Sequence, residues 1–316
     1  MTDAAEVPKR RVGICGIGQM GSACAVAFSR AGHDAVLWAR DPDKLAAVES
    51  EIDRSTTWCD EHVGPPIAAG GSVSYQPDLD ALDAECDVIL DCIIEVLDQK
   101  VALLRRFPEA KSRGALFLSA TSALPITEMS QRADLESLLV GAHFWNPPHL
   151  IPVVEVIQGD QTPRERVDET CALLAQIGKR PIVCKDVPGF VGNRLLHALW
   201  REAIALVDQG VCSAADVDEI VKLTFALRLP LLGPIENMDY VGLDATARLQ
   251  RFLGPHLANN IAPRAALTDK LAAGDLGVKT GRGFYDWSER DAADLLAKRD
   301  AQVLRQLRFL QEIGEL

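Results

Sequence analysis

The sequence predicts an α/β chain: a doubly wound, mostly parallel sheet followed by an all-helical C-terminal domain. Three observations carry that reading. Short apolar, β-branched runs recur at 11–16, 34–39, 87–94, 115–119, 139–144 and 153–157, and polar or helix-patterned segments separate most of them. A glycine string joins the first of these runs to a helical segment. Beyond Lys185-Asp-Val-Pro-Gly189 no alternating strand pattern returns. The boundary is placed near 187, giving an N-terminal domain over 1–187 and a helical domain over 188–316.

In chain order, Arg11-Val-Gly-Ile-Cys reads as a strand ending at Gly16, and Ser22-Ala-Cys-Ala-Val-Ala-Phe as a helix after Gly21. In that setting Gly16 permits a tight turn and Gly18 lets backbone approach a pyrophosphate. Gly21 lets the helix close on the strand, and Gln19 and Met20 fill the string between them. The pattern predicts a Rossmann-type dinucleotide site. The second strand then runs into Leu37-Trp38-Ala39-Arg40-Asp41. An NAD site usually ends this strand with an acid for the ribose hydroxyls, and Ala39 stands at that position. Arg40 suits the extra phosphate of NADP, whereas Asp41 turned inward would serve NAD; both remain open.

The segment 163–177 is helical by pattern and 181–184 reads as a last strand. A long amphipathic helix over 190–209 is entered through Pro188 and Gly189 and stopped by Gly210. Residues 216–227 read as another helix. The tail from Asp291 carries Leu295, Val303, Leu307, Leu310 and Ile313 among charges. Those residues form an apolar stripe expected to pack on its own domain or on a partner subunit.

Residues 141–157 hold the candidate chemistry. They read as a strand, a Pro-marked turn and a second strand, with His143 ending the first and Glu155 inside the second. Neighbouring strands place such side chains side by side. A carboxylate on one ring nitrogen orients the imidazole and leaves the other nitrogen for proton transfer. A hydride acceptor plus a positioned base is the equipment of an alcohol dehydrogenase.

Composition bounds the remaining classes. The 316 residues are 48% hydrophobic and 25% charged, with formal net charge −12. That charge repels phosphate backbones and anionic membranes, which argues against a nucleic-acid or membrane role. No apolar run approaches the roughly 20 residues of a membrane helix. The N-terminus lacks the apolar core of a secretory signal, so a cytoplasmic protein is expected. The eight cysteines form no C-x-x-C pair and no zinc spacing, as expected of reduced, buried thiols, and no metal is expected.

With those residues on the page, the chain resembles the 3-hydroxyacyl-CoA dehydrogenase family from about 11 to 287. The carriers are Gly16-x-Gly18-x-Met20-Gly21, Ser119-Ala-Thr-Ser122, His143-Phe-Trp-Asn146-Pro and Val154-Glu155-Val. Further on they are Lys185-Asp-Val-Pro-Gly-Phe190 with Asn193-Arg194, Gly233-Pro-Ile-Glu, and Lys279-Thr-Gly-Arg-Gly-Phe-Tyr285. The resemblance implies a nucleotide domain, a helical domain that forms a homodimer, an NAD(P) coenzyme, and four polar roles on Ser122, His143, Glu155 and Asn193. Relatives often read Ser-Asn-Thr-Ser where this chain has Ala120, which removes one amide near the coenzyme.

Two features point away from a CoA thioester. Residues 41–72 hold Lys44 and Arg54 against seven acids, a surface that repels CoA phosphates. The wording Asn146-Pro-Pro-x-x-Ile-Pro-x-x-Glu155 is similar to the branch acting on free hydroxy acids and alcohols, such as L-gulonate 3-dehydrogenase, L-carnitine dehydrogenase and a vitamin B6-breakdown dehydrogenase. In that branch a basic residue falls at Arg228, which suits a substrate carboxylate. A short-chain 3-hydroxyacyl-CoA dehydrogenase is the runner-up. A crystallin-like or regulatory nucleotide binder is the reading from another class. The lysine-dependent β-hydroxyacid dehydrogenases rank last, because the interdomain helix carries no lysine near its start.

Overall fold

The computed structural model describes residues 8–316. The chain falls into two compact units, Met1–Arg194 and Leu195–Leu316. The first is an eight-stranded sheet flanked by helices. Its strands are β1 (Arg11–Cys15), β2 (Asp34–Trp38), β3 (Ser72–Tyr75), β4 (Val88–Asp91), β5 (Leu116–Ser119), β6 (Leu139–Phe144), β7 (Val153–Gln158) and β8 (Arg180–Lys185). They lie in the order β3-β2-β1-β4-β5-β6-β7-β8. Every neighbouring pair is parallel except β6 and β7.

The strand side chains alternate between two apolar layers, as a sheet covered on both faces requires. On one face Val12, Ile14, Leu37, Leu90, Leu118 and Val154 pack under α1 (Gln19–Ser29), α2 (Pro42–His62) and the helix Arg164–Gln176. On the other, Val36, Ile89, Phe117, Leu139 and Ile157 pack under four shorter helices. These are α3 (Leu79–Glu85), α4 (Leu97–Leu104), α5 (Pro108–Arg113) and α6 (Ile126–Ala133); the helix Arg164–Gln176 is therefore α7. The predicted doubly wound sheet is present.

Two expectations need amendment. β3 was not anticipated: its four residues carry one strong β-former, Val73, and it is an edge strand with alternating half-exposed side chains. The run expected over 87–94 leaves the sheet after Asp91. The Asp91 carboxylate accepts the Ile93 amide at 3.1 Å, which turns Cys92-Ile93-Ile94 out of the ladder.

The turn from β6 to β7 is held from β8's side of the sheet. Lys179, almost buried, donates from Nζ to the carbonyl of Ile151 at 3.0 Å and to that of Pro148. Burial pulls this ammonium down to about 8. Asp186, just past β8, caps α6 by accepting the amides of Ile126 at 3.1 Å and Thr127 at 2.7 Å.

The long helix expected over 190–209 is α8 (Gly192–Asp208). It starts two residues later because Phe190 adopts a left-handed backbone with φ 48°. The second unit continues with α9 (Ala214–Leu223), α10 (Pro234–Val241), α11 (Leu243–Leu253), α12 (Ala265–Ala273) and α13 (Ala292–Glu312). The helix expected over 216–227 begins earlier, because Ser213 and Asp216 form a capping box, and it breaks at Thr224. A separate 3₁₀ turn, Phe225–Leu227, follows. Within this unit only Ala205, Val217, Ala258 and Leu304 are buried apolar residues. Leu295 and Ile313 of the tail stripe stay largely exposed, as do Ile220, Leu223, Ile235 and Phe252. No helix among the described residues is long and apolar enough to cross a membrane.

Candidate active site

The carboxyl ends of β1, β2, β4, β5 and β6 share one edge of the sheet, and β7, running the opposite way, begins there. Doubly wound sheets bind ligands along that edge. Every residue of the first unit singled out from the sequence lies on it: Gly16 after β1, Arg40 after β2, Ser122 after β5, His143 near the end of β6, and Glu155 near the start of β7.

His143 and Glu155 are direct partners across the antiparallel pair. His143 Nδ1 meets Glu155 Oε2 at 2.7 Å, and both side chains are buried. The other Glu155 oxygen, Oε1, accepts the amides of Val191 at 2.9 Å and Gly192 at 3.0 Å. Burial pushes this carboxyl up. The hydrogen bond to His143 and those from Gly192 and Val191 outweigh it, and they hold Glu155 below the usual carboxylate range. It stays an anion at neutral pH. With Nδ1 facing that anion, Nε2 is the nitrogen left to exchange a proton.

Aromatic packing fixes the imidazole plane. Trp145 lies 5.1 Å from the His143 ring and fully buried Phe190 lies 5.8 Å from it, centroid to centroid. The left-handed turn at Phe190 brings the next two amides to Glu155. Gly192 is required here, since a Cβ would come within 2.2 Å of the Trp145 ring.

Asn193, second residue of α8, donates from Nδ2 to the Ser122 carbonyl at 2.9 Å. The Ser122 hydroxyl is exposed and takes no bond among the described residues. The four predicted polar residues are thus joined: His143 to Glu155, Glu155 to the first turn of α8, and Asn193 in that turn to Ser122.

The glycine string tests the fit of a dinucleotide. Gly16 has φ 121°, and a Cβ there would lie 2.6 Å from the Cys92 carbonyl oxygen. A Cβ on Gly21 would lie 1.9 Å from the Gly16 carbonyl oxygen. Those two glycines are demanded by the close approach of β1, α1 and the turn after β4. Gly18 differs: no protein atom lies within 4 Å of a Cβ built there. Packing explains two of the glycines and leaves open space at the third. Gln19 opens α1 and Met20 packs against the core, and no side chain caps the helix. The arrangement fits a pyrophosphate against uncapped amides.

At the end of β2 the acid and the base part company. Asp41 spends its carboxylate on the cap of α2, accepting the Asp43 amide at 3.2 Å, and lies 3.5 Å from Lys44. Arg40 is exposed and forms no ion pair among the described residues. Arg228 belongs to the second unit, directly after the 3₁₀ turn, and is exposed.

Two charged residues at this edge were not singled out from the sequence, Glu95 and Lys100. Lys100 is 1% exposed and binds Asp91 at 2.9 Å; Glu95 accepts the Ser122 amide at 2.7 Å. The available signal was a run of charge, Asp91, Glu95 and Lys100, directly after an apolar strand. The described residues contain no cluster of His, Cys, Asp or Glu able to hold a metal ion.

The chain matches the 3-hydroxyacyl-CoA dehydrogenase NAD binding domain over residues 11–187 and the C-terminal domain of the same family over 189–287. It is 30% identical to a 5-formyl-3-hydroxy-2-methylpyridine 4-carboxylate 5-dehydrogenase of Mesorhizobium japonicum, over 96% of this chain and 98% of that one. It is 31% identical to a probable 3-hydroxybutyryl-CoA dehydrogenase of Deinococcus radiodurans, over 88% and 100%. An L-carnitine dehydrogenase of Streptomyces griseus is 32% identical, over 95% and 89%. A solved structure of a 5-formyl-3-hydroxy-2-methylpyridine 4-carboxylic acid 5-dehydrogenase, described as an NAD+-dependent dismutase, superposes with a TM-score of 0.90. It is 29% identical, with 96% of this chain and 99% of that chain covered. These matches span both domains: the chain belongs to the 3-hydroxyacyl-CoA dehydrogenase family.

Proposed function

We propose that this dehydrogenase interconverts a secondary alcohol and a ketone, with His143 and Glu155 as its acid–base pair. The observation that carries the reading is the buried 2.7 Å contact between His143 Nδ1 and Glu155, made at the ligand-binding edge of the sheet. In the oxidation direction His143 Nε2 takes the hydroxyl proton, and Glu155, fixed by Val191 and Gly192, stabilises the imidazolium. In reduction the imidazolium returns that proton to the ketone oxygen. The Ser122 hydroxyl and the Asn193 amide hold the oxygen on which charge develops. A nicotinamide coenzyme would supply the hydride acceptor or donor, and Gly16, Gly18, Gln19, Met20 and Gly21 would hold its pyrophosphate.

Ala39 removes the usual ribose acid, Asp41 is engaged at its own helix cap, and Arg40 is exposed with no ion pair among the described residues. The match to an NAD binding domain and the likeness to an NAD+-dependent enzyme support NAD as the coenzyme, and Arg40 additionally admits the 2′-phosphate of NADP.

The substrate is a free carboxylic acid of the 3-hydroxy acid type, with Arg228 pairing its carboxylate. The acidic surface of α2 supports this, as does the likeness to a pyridine 4-carboxylate dehydrogenase and an L-carnitine dehydrogenase, both named for free carboxylates. The family name and the probable 3-hydroxybutyryl-CoA relative keep a CoA thioester as the alternative. The exposed apolar side chains of the second unit are the surface of a homodimer, since an unpaired surface of that kind is unstable in water.

Five measurements check these readings. His143→Gln lowers kcat by about 10²–10⁴ while coenzyme still binds, and a near-wild-type kcat removes His143 from the mechanism. Arg40→Ala raises KM for NADP(H) roughly tenfold and leaves NAD(H) within about twofold, the loss of one charge-assisted contact; equal changes for both coenzymes remove Arg40 from phosphate recognition. In a screen of hydroxy acids against acetoacetyl-CoA, a free acid gives the higher kcat/KM. Arg228→Met raises KM for that acid about tenfold or more at unchanged kcat, and preference for the thioester overturns the assignment. Light scattering gives twice the 34.3 kDa chain mass; a monomer ends the dimer reading.

A further inference from the structure

Glu95 lies outside the acid–base pair, yet it accepts as many hydrogen bonds at this edge of the sheet as Glu155 does. Its Oε1 accepts three hydrogen bonds from consecutive residues: Thr121 Oγ1 at 2.6 Å, the Ser122 amide at 2.7 Å and the Ala123 amide at 3.0 Å. Thr121 Oγ1 in turn accepts the Leu124 amide at 3.0 Å. The whole turn after β5 is gathered on one oxygen.

The second oxygen, Oε2, faces Lys100 Nζ at 3.7 Å. Lys100 cannot drift, since it donates to Asp91 Oδ2 at 2.9 Å and to the Ile93 carbonyl at 3.1 Å and is 1% exposed. Asp91, fully buried, also accepts Ser119 Oγ at 2.8 Å on Oδ2 and the Ile93 amide on Oδ1. Removing one member of a buried pair of this kind leaves the other charge uncompensated, so the Asp91–Lys100 pair is a rigid anchor. Glu95 hangs between that anchor and the Ser122 turn. From the other side Asn193 holds the Ser122 carbonyl. The amide and the carbonyl of Ser122 are therefore both fixed, and its hydroxyl alone is left to act.

We propose that Glu95 is a positioning residue that sets the Ser122 hydroxyl against the reacting oxygen, using the buried Lys100–Asp91 pair as its fixed point. The inference rests on the role proposed above for Ser122. A hydrogen-bond donor displaced by about 1 Å loses of order 10²-fold in rate, so loosening the turn acts on the chemical step.

The test is a double-mutant cycle on kcat at saturating coenzyme and substrate. Glu95→Ala in the wild-type background lowers kcat by roughly 10- to 100-fold. In a Ser122→Ala background the same change lowers kcat by no more than about twofold, because coupled residues are not additive. Glu95→Gln retains at least about a third of kcat, since the amide oxygen accepts the same three bonds. Thr121→Val removes one of those donors without touching the buried pair. It shows the same coupling to Ser122→Ala on a smaller scale, and it decides the question where Glu95→Ala does not fold. Equal losses in both backgrounds overturn the positioning role while leaving Ser122 in place. An unchanged kcat for Ser122→Ala alone overturns the reading of Ser122 and this inference with it.

Discussion

One carboxylate organises the active-site edge. Glu155 gives one oxygen to the imidazole of His143 and the other to two amides at the start of α8. A buried anion is tolerated only when hydrogen bonds replace its water, and these three do so. The same bonds tie the last antiparallel step of the sheet to the helix that leaves it. The polar group that orients the imidazole is therefore also the joint between two elements. Its removal frees both the imidazole and the backbone that presents it.

The surroundings follow from that joint. The α8 amides reach Glu155 only because Phe190 turns left-handed, a conformation that few side chains adopt. Phe190 is fully buried against the imidazole, so packing holds the strained backbone in place. Trp145 fills the space that a side chain at residue 192 would need. Two of the carboxylates beside the site are held in contrasting ways. Glu155 is bound by an imidazole and backbone amides, whereas Asp91 is bound by a buried ammonium. Neither is an exposed ion pair of the kind that contributes little.

Much of this was legible in the sequence because its signals are local. The glycine string sits between a strand and a helix within eleven residues, and His143 and Glu155 are twelve apart on adjoining strands, so alternation alone aligns them. The sheet was legible for the same reason wherever a strand is a continuous apolar run. β3 escaped because four residues with one strong β-former look like loop. Glu95 and Lys100 escaped for a different reason. Glu95 meets residues 26 to 28 positions away, brought near only once β4 and β5 pair, and no local pattern records that pairing. The break at Thr224 was hidden as well, since the apolar spacing continues across it and only the backbone turns.

The antiparallel step between β6 and β7 imposes a parity rule on this site. Along a strand each residue faces the sheet side opposite to that of its neighbours. Adding or deleting one residue between Gly141 and Phe144, or between Val154 and Ile157, would therefore send the imidazole and the carboxylate to opposite sides of the sheet. Changes of length in the connecting turn carry no such penalty. The stretch from 145 to 152 can therefore change length without reversing these two side chains, while the two ladders on either side admit substitution but not a change of length by one.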